Sequence, residues 1–173
     1  MRKLICALLL SLTAAAFAAE PSQFTVGGFS FARPDGWGWV NPTSPMRKAQ
    51  LSVTGEKGNG EVTFFHFGAG MGGSVDSNVQ RWCGQFGGPE VAKAKTAIET
   101  YGTVKVTYVS ANGTFNSGMP GGPTTPMENY ALLGAILQDA TNGDVYVKLT
   151  GPAATVEAAT PAFQKMIKTA TAK

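Results

Sequence analysis

The residues of this chain whose types and spacing invite chemistry are few, and they begin with Gly68-Ala69-Gly70-Met71-Gly72-Gly73. This G-x-G-x-x-G run lies between a stretch that reads as a strand and one that reads as a helix. That is the context in which glycines let a backbone approach a pyrophosphate at a helix N-terminus. The rest of a dinucleotide unit is missing. No parallel strand follows at the proper distance with a ribose-binding acid, and the neighbouring segments meander. The run is therefore read as a strand-to-helix connection, and no cofactor is expected. His66 is the only histidine, so a zinc site lacks partners and no metal is expected. With no nucleophile or carboxylate adjacent to it, His66 has no evident general-base role and is placed at a strand end with its ring partly covered. Cys83 with His66 and Arg81 would be the components of a thiol enzyme. Cys83, however, falls in an apolar helical stripe, which favours a buried, inert thiol. G-x-S-x-G, H-E-x-x-H and S-x-x-K patterns are absent, and the chain is expected not to be an enzyme.

A binding surface is the stronger expectation. Asn78, Arg81 and Gln85, at i, i+3 and i+7, form a polar stripe beside the apolar face of one helix. Trp37 and Trp39 form an aromatic cluster, and Trp and Arg are over-represented in binding hot spots. These five residues are the candidate surface, weighed against an ordinary solvated helix face and core tryptophans.

Gly and Pro divide the chain into the elements that would position these groups. Residues 24–31 read as a first strand. Pro34-Asp35-Gly36 is a turn, followed by the irregular aromatic segment of Trp37 and Trp39. Residues 49–54 and 61–67 read as a hairpin. The second of these strands is apolar on both faces, through Val62 and Phe64 on one and Phe65 and Phe67 on the other, so the sheet should be covered on both sides. Ser74 is an N-cap, and Val75, Val79, Trp82, Cys83 and Phe86 follow at helical spacing until Gly87-Gly88-Pro89. Residues 95–100 and 103–111 read as strands about Tyr101-Gly102. Residues 112–127, rich in Gly, Pro, Thr and Asn, read as a long flexible loop, dispensable for folding and a place for a partner to touch. Residues 129–138 read as a central strand. Asn142-Gly143 signals a two-residue hairpin into residues 144–150, and Gly151-Pro152 opens a short helical turn. Thr160 and Pro161 would open a last helix, with Phe163, Met166, Ile167 and Ala170 facing inward. Strands that meander about two helices predict an α+β fold with a largely antiparallel sheet.

The N-terminus explains where such a protein would work. Arg2 and Lys3 precede an apolar run, and Ala16-Phe17-Ala18 supplies the small residues a signal peptidase reads. Residues 1–18 are therefore expected to be a cleaved signal peptide, and the protein to be exported, periplasmic or extracellular. The apolar run is shorter than the ~20 residues of a spanning helix, and the mature chain is expected to have no transmembrane segment. About 155 residues remain as a single domain, large enough to bury roughly 68–70% of its unfolded surface. Of 14 basic and 11 acidic residues, Arg2 and Lys3 leave with the signal, so the rest is nearly neutral and no nucleic-acid partner is expected. Of the two cysteines, Cys6 lies in the signal, so Cys83 alone remains and an intrachain disulfide is not possible.

Three features carry a resemblance: Pro34-Asp35-Gly36-Trp37 after an extended start, the tail Tyr146-Val147-Lys148-Leu149-Thr150-Gly151-Pro152, and a C-terminal helix with Phe163-x-x-Met166-Ile167. Together they resemble the PsbP-like superfamily over residues 24–170. This is the α/β/α sandwich of the PsbP extrinsic protein of photosystem II, of a Ran-binding import factor and of many exported bacterial proteins. The segment Asn78-Val79-Gln80-Arg81-Trp82-Cys83-Gly84-Gln85-Phe86 also looks like the helix of an uncharacterised exported bacterial family. The superfamily has no common catalytic motif. The resemblance implies a non-catalytic binding or accessory domain that contacts an envelope or extracellular protein or a small ligand.

Overall fold

Alternating apolar and polar residues dominate the chain, and in the computed structural model, which describes residues 20–87, 94–118 and 122–172, they form strands. Ten strands and two helices are present among the described residues, in the order β1 (Gln23–Val26), β2 (Phe29–Ala32), β3 (Trp37–Trp39), β4 (Arg47–Val53), β5 (Gly60–His66), α1 (Val75–Cys83), β6 (Phe86–Gly87), β7 (Lys95–Tyr101), β8 (Val104–Gly118), β9 (Thr124–Leu137), β10 (Val145–Pro152) and α2 (Ala153–Thr171). The main sheet runs β3-β4-β5-β10-β9-β8-β6, with β7 also paired to β8, and β1 and β2 form a separate two-stranded ribbon. Each of these pairings is antiparallel, so the α+β expectation holds. The signal-peptide reading of residues 1–18 lies outside the described residues. Among those described, no helix is long and apolar enough to cross a membrane.

The two faces of the sheet bury different clusters. Val62 and Phe64 of β5, Val145, Val147 and Leu149 of β10, and Leu133, Ala135 and Leu137 of β9 pack with Phe163, Met166 and Ile167 of α2 and with Phe29 and Phe31 of the ribbon. Residues of opposite parity, Tyr146 of β10 with Leu132 and Ile136 of β9, join Val109, Ala111 and Phe115 of β8 and Trp82 of α1. The alternation of a strand sends successive side chains to opposite faces, which is why β9 and β10 are apolar throughout most of their length.

Five local expectations are corrected. Residues 24–31 are two strands, because Gly27 takes φ +56° and turns the chain back. Residues 112–127 are not a loop where they are described: they lengthen β8 to Gly118 and start β9 at Thr124, with Asn116 opposite Pro126. The proline is tolerated because, among the described residues, this part of β9 pairs with β8 alone, β10 reaching only as far as Tyr130. Phe115 and Met127 on these extensions bury against the α1-side cluster, which stabilises strand over loop. The third correction is at α1, which ends at Cys83 with Gly84 as its cap, and Phe86 reaches the same cluster from β6 by pairing with Phe115. Residues 88 and 89 lie outside the described set. Fourth, α2 begins at Ala153 and contains Thr160 and Pro161 in its interior. Its first turns are Ala-rich and bury Thr155, Val156 and Ala159, while the Thr160 hydroxyl bonds back to the Val156 carbonyl at 2.8 Å. Finally, Asn142-Gly143 belongs to a longer connection between Leu137 and Val145, held by Asp139, whose carboxylate accepts from the Thr141 and Asn142 amides at 2.9 and 3.0 Å.

Candidate functional site

Three cationic side chains converge on the α1 side of the sheet, each through a different local device. Lys148 does so by parity: its neighbours Val147 and Leu149 point to the α2 side, so it shares a face with Tyr146. Arg47 does so by a bulge. The β4–β5 register shifts between Arg47 and Ala49, so that Arg47 faces Phe65 instead of following Ala49 and Leu51 into the α2-side core. Arg81 is aimed by its helix. Ser74 caps α1, its hydroxyl accepting from the Ser77 amide at 3.1 Å. The wholly buried Asn78 donates to the Gly72 and Ser74 carbonyls at 2.8 Å each and accepts a hydrogen bond from Arg81.

Between these elements lies a cleft of about 1000 Å³. Its base carries Phe65, Tyr146 and Lys148 from the sheet and Trp82 from α1. Gly72 and Gly73 of the glycine run form one wall, and the Tyr146 hydroxyl donates to the Gly73 carbonyl at 3.4 Å. Asn116, Gly118 and Thr124 of the β8–β9 arm line another. At the rim stand Met46, Phe67 and Met71, with 58%, 37% and 64% of their surface exposed. Three of the four large apolar side chains exposed among the described residues thus gather here, the fourth being Ile98 on β7. Such clustering marks interaction sites rather than ordinary surface.

The electrostatics are set by burial. Lys148 donates to Gln85 Oε1 at 3.1 Å, with its ammonium 6.0 Å from the Phe115 ring centre. Desolvation pushes its pKa down to about 8; Glu61 opposes the shift, and Arg47 and Arg81 add to it. Arg47 is engaged by Glu61 at 2.9 Å and by Gln50, which itself donates to Glu61 at 3.1 Å. Among the described residues neither Arg81 nor Lys148 has a carboxylate within salt-bridge distance. Burial also raises the pKa of Tyr146, helped by Asp144 and opposed by Arg81.

The five residues singled out in the sequence do not form one surface. Arg81 and Gln85 line the cleft, and Asn78 sits behind Arg81 as a buried support. Trp37 is buried in, and Trp39 packed against, the cluster on the opposite face. The enzyme components are not assembled either. His66 follows the parity of Phe64, away from Arg81, and its Nε2 lies 2.8 Å from the Asn142 carbonyl. Cys83 is half-buried against the α1-side cluster, a free thiol whose pKa is raised by desolvation. Among the described residues no group of three His, Cys, Asp or Glu side chains could hold a metal ion. Sequence reasoning missed Arg47, Phe65, Phe67, Tyr146 and Lys148. The signal available was Lys148 itself, a cation flanked by Val147 and Leu149 in a strand otherwise fit for burial on both faces.

No protein-family model and no curated protein sequence matches the chain. Its structure is similar to the solution structure of cyanobacterial PsbP from Synechocystis, with a TM-score of 0.50 and 10% identity, over 90% of this chain and 95% of that one. The chain has a PsbP-like fold.

Proposed function

We propose that the protein is an exported, non-catalytic binding domain, layered as an α/β/α sandwich, that holds a small and largely apolar ligand in the α1-side cleft. The observation that carries this reading is the convergence of exposed Met46, Phe67 and Met71 on a concave site floored by Phe65, Trp82 and Tyr146. Ligand sites have this form: a mostly apolar cavity with a few placed polar groups. Export is supported by the basic residues, apolar run and Ala16-x-Ala18 pattern of the N-terminus.

The test uses N-phenyl-1-naphthylamine, a neutral dye that fluoresces in apolar surroundings. Its fluorescence should rise saturably with the purified protein. Phe67→Ser should weaken the signal several-fold, and Ile98→Ser, at an exposed apolar residue that does not line the cleft, should leave it unchanged. Absence of saturable binding, or loss with Ile98→Ser and not with Phe67→Ser, would overturn the reading.

A further inference from the structure

Resting on that reading of the cleft, we infer the class of its ligand: an amphipathic anion, with an oxyanion head against Arg81 and Lys148 and an apolar chain along Phe65, Phe67 and Tyr146. The cleft floor carries a charge imbalance. Among the described residues five ionised side chains act there: Arg47, Glu61, Arg81 and Lys148, and Asp144 beside Tyr146. Glu61 is committed to Arg47 and to Gln50, and Asp144 accepts from the Asp139 amide at 3.1 Å and pairs with neither remaining cation, so Arg81 and Lys148 are left without a carboxylate partner among the described residues.

Hydrogen-bonding capacity points the same way. A guanidinium has five N–H donors and an ammonium three. Among the described residues Arg81 makes one side-chain bond, to Asn78, and Lys148 one, to Gln85. Both acceptors are amide oxygens, which orient a cation without neutralising it. Asn78 is in turn fixed by two backbone carbonyls, so the Arg81 head is held in place before any ligand arrives. Arg81 disfavours the charge on Lys148, and two cations in a partly dehydrated site with donors unspent are complementary to an oxyanion. The apolar part follows from the rim. A free inorganic anion would leave Met46, Phe67 and Met71 in water, whereas an attached chain covers them.

Displacement of the same dye separates this inference from the reading beneath it. Decanoate and decyl phosphate, each below its micelle concentration, are compared with decanol. At least one anion should displace the dye at a concentration about tenfold or more below that of decanol, as charge-assisted hydrogen bonds require. The advantage should vanish in Arg81→Gln/Lys148→Met and persist in Lys148→Arg, with dye binding by each variant showing that its cleft is intact. Should the double variant not bind dye, Arg81→Gln alone is expected to cut the advantage at least threefold. Dye binding with equal displacement by decanol and both anions, or an advantage kept in the cation variants, would overturn the inference and leave the cleft assignment standing. Displacement by tetraglutamate, at the concentration decanoate needs, would give the cleft to an acidic polypeptide and overturn it too. Failure of the dye to bind would remove both.

Discussion

The indole of Trp82 lies directly on Gly134, so closely that a β-carbon at residue 134 would stand 2.3 Å from Trp82 Cζ3. Gly134 is in the middle of β9, between Val109 of β8 and Lys148 of β10. Glycine in a strand interior is unfavourable unless another group needs the space. Here it lets α1 settle onto the sheet and brings Arg81 toward Lys148. Gly134→Ala should force the indole outward, cost about 1–3 kcal/mol as an overpacked site does, and weaken dye binding in the cleft. Urea unfolding together with dye titration checks this. A variant unchanged in both would show that α1 is not seated through Trp82.

The two clusters give two truncations with different readouts. Phe163 is wholly buried on the α2 side and Trp82 is 5% exposed on the α1 side. Replacing either by Ala should cost about 3–5 kcal/mol in urea unfolding. Phe163→Ala should still bind dye at temperatures where it is folded, because its cavity opens on the opposite face. Trp82→Ala should lose dye binding. Near-neutral stability for both would contradict the assignment of faces.

Lys148 makes stability depend on pH, with a definite sign. Its folded pKa is about 8, below the ordinary 10.5. Between those values the unfolded chain holds the proton more often than the folded one, so stability rises with pH across the window, by at most about 3 kcal/mol. Tyr101, Tyr108 and Tyr146 act oppositely at higher pH. Burial raises their pKa values, so the folded state retains those protons longer and stability falls as pH climbs past 10. A maximum between pH 8 and 10.5 is expected, and Lys148→Met should remove the rise. The charged groups that face Lys148 are Glu61, Arg47 and Arg81. A rise that persists in Lys148→Met would contradict the assignment.

Cys83 should react with a disulfide reagent more slowly in the native protein than in urea, by about tenfold or more, because burial disfavours the thiolate. Native reactivity at the unfolded rate would contradict the packing of α1.

Much of this architecture was legible as pattern. The stripe of Val75, Val79 and Trp82, the Ser74 cap and the two-faced strand around Phe64 and Phe65 are local consequences of periodicity, and the structure reproduces them. The candidate site was legible only in Arg81 and Gln85. Arg47 reaches the cleft because of a bulge, and a bulge reverses parity without a mark in composition. Composition groups the tryptophans with the helix stripe because aromatic content says nothing about which face receives it. Residues 112–127 read as a loop because Gly and Pro are strand breakers in most settings. The unpaired edge of β9 that tolerates Pro126, and the cluster that receives Phe115 and Met127, are tertiary facts.

The chain has three tryptophans, which makes the central claim directly observable. Trp82 lines the cleft, while Trp37 and Trp39 belong to the opposite face, Trp39 with its indole N–H bonded to Asn41 at 3.0 Å. In a proton–nitrogen correlation spectrum each gives its own indole signal. Titration with decanoate should shift the Trp82 signal saturably and leave those of Trp37 and Trp39 in place. A Trp82 signal that stays fixed while decanoate binds, or a saturable shift at Trp37 or Trp39 instead, would contradict the account.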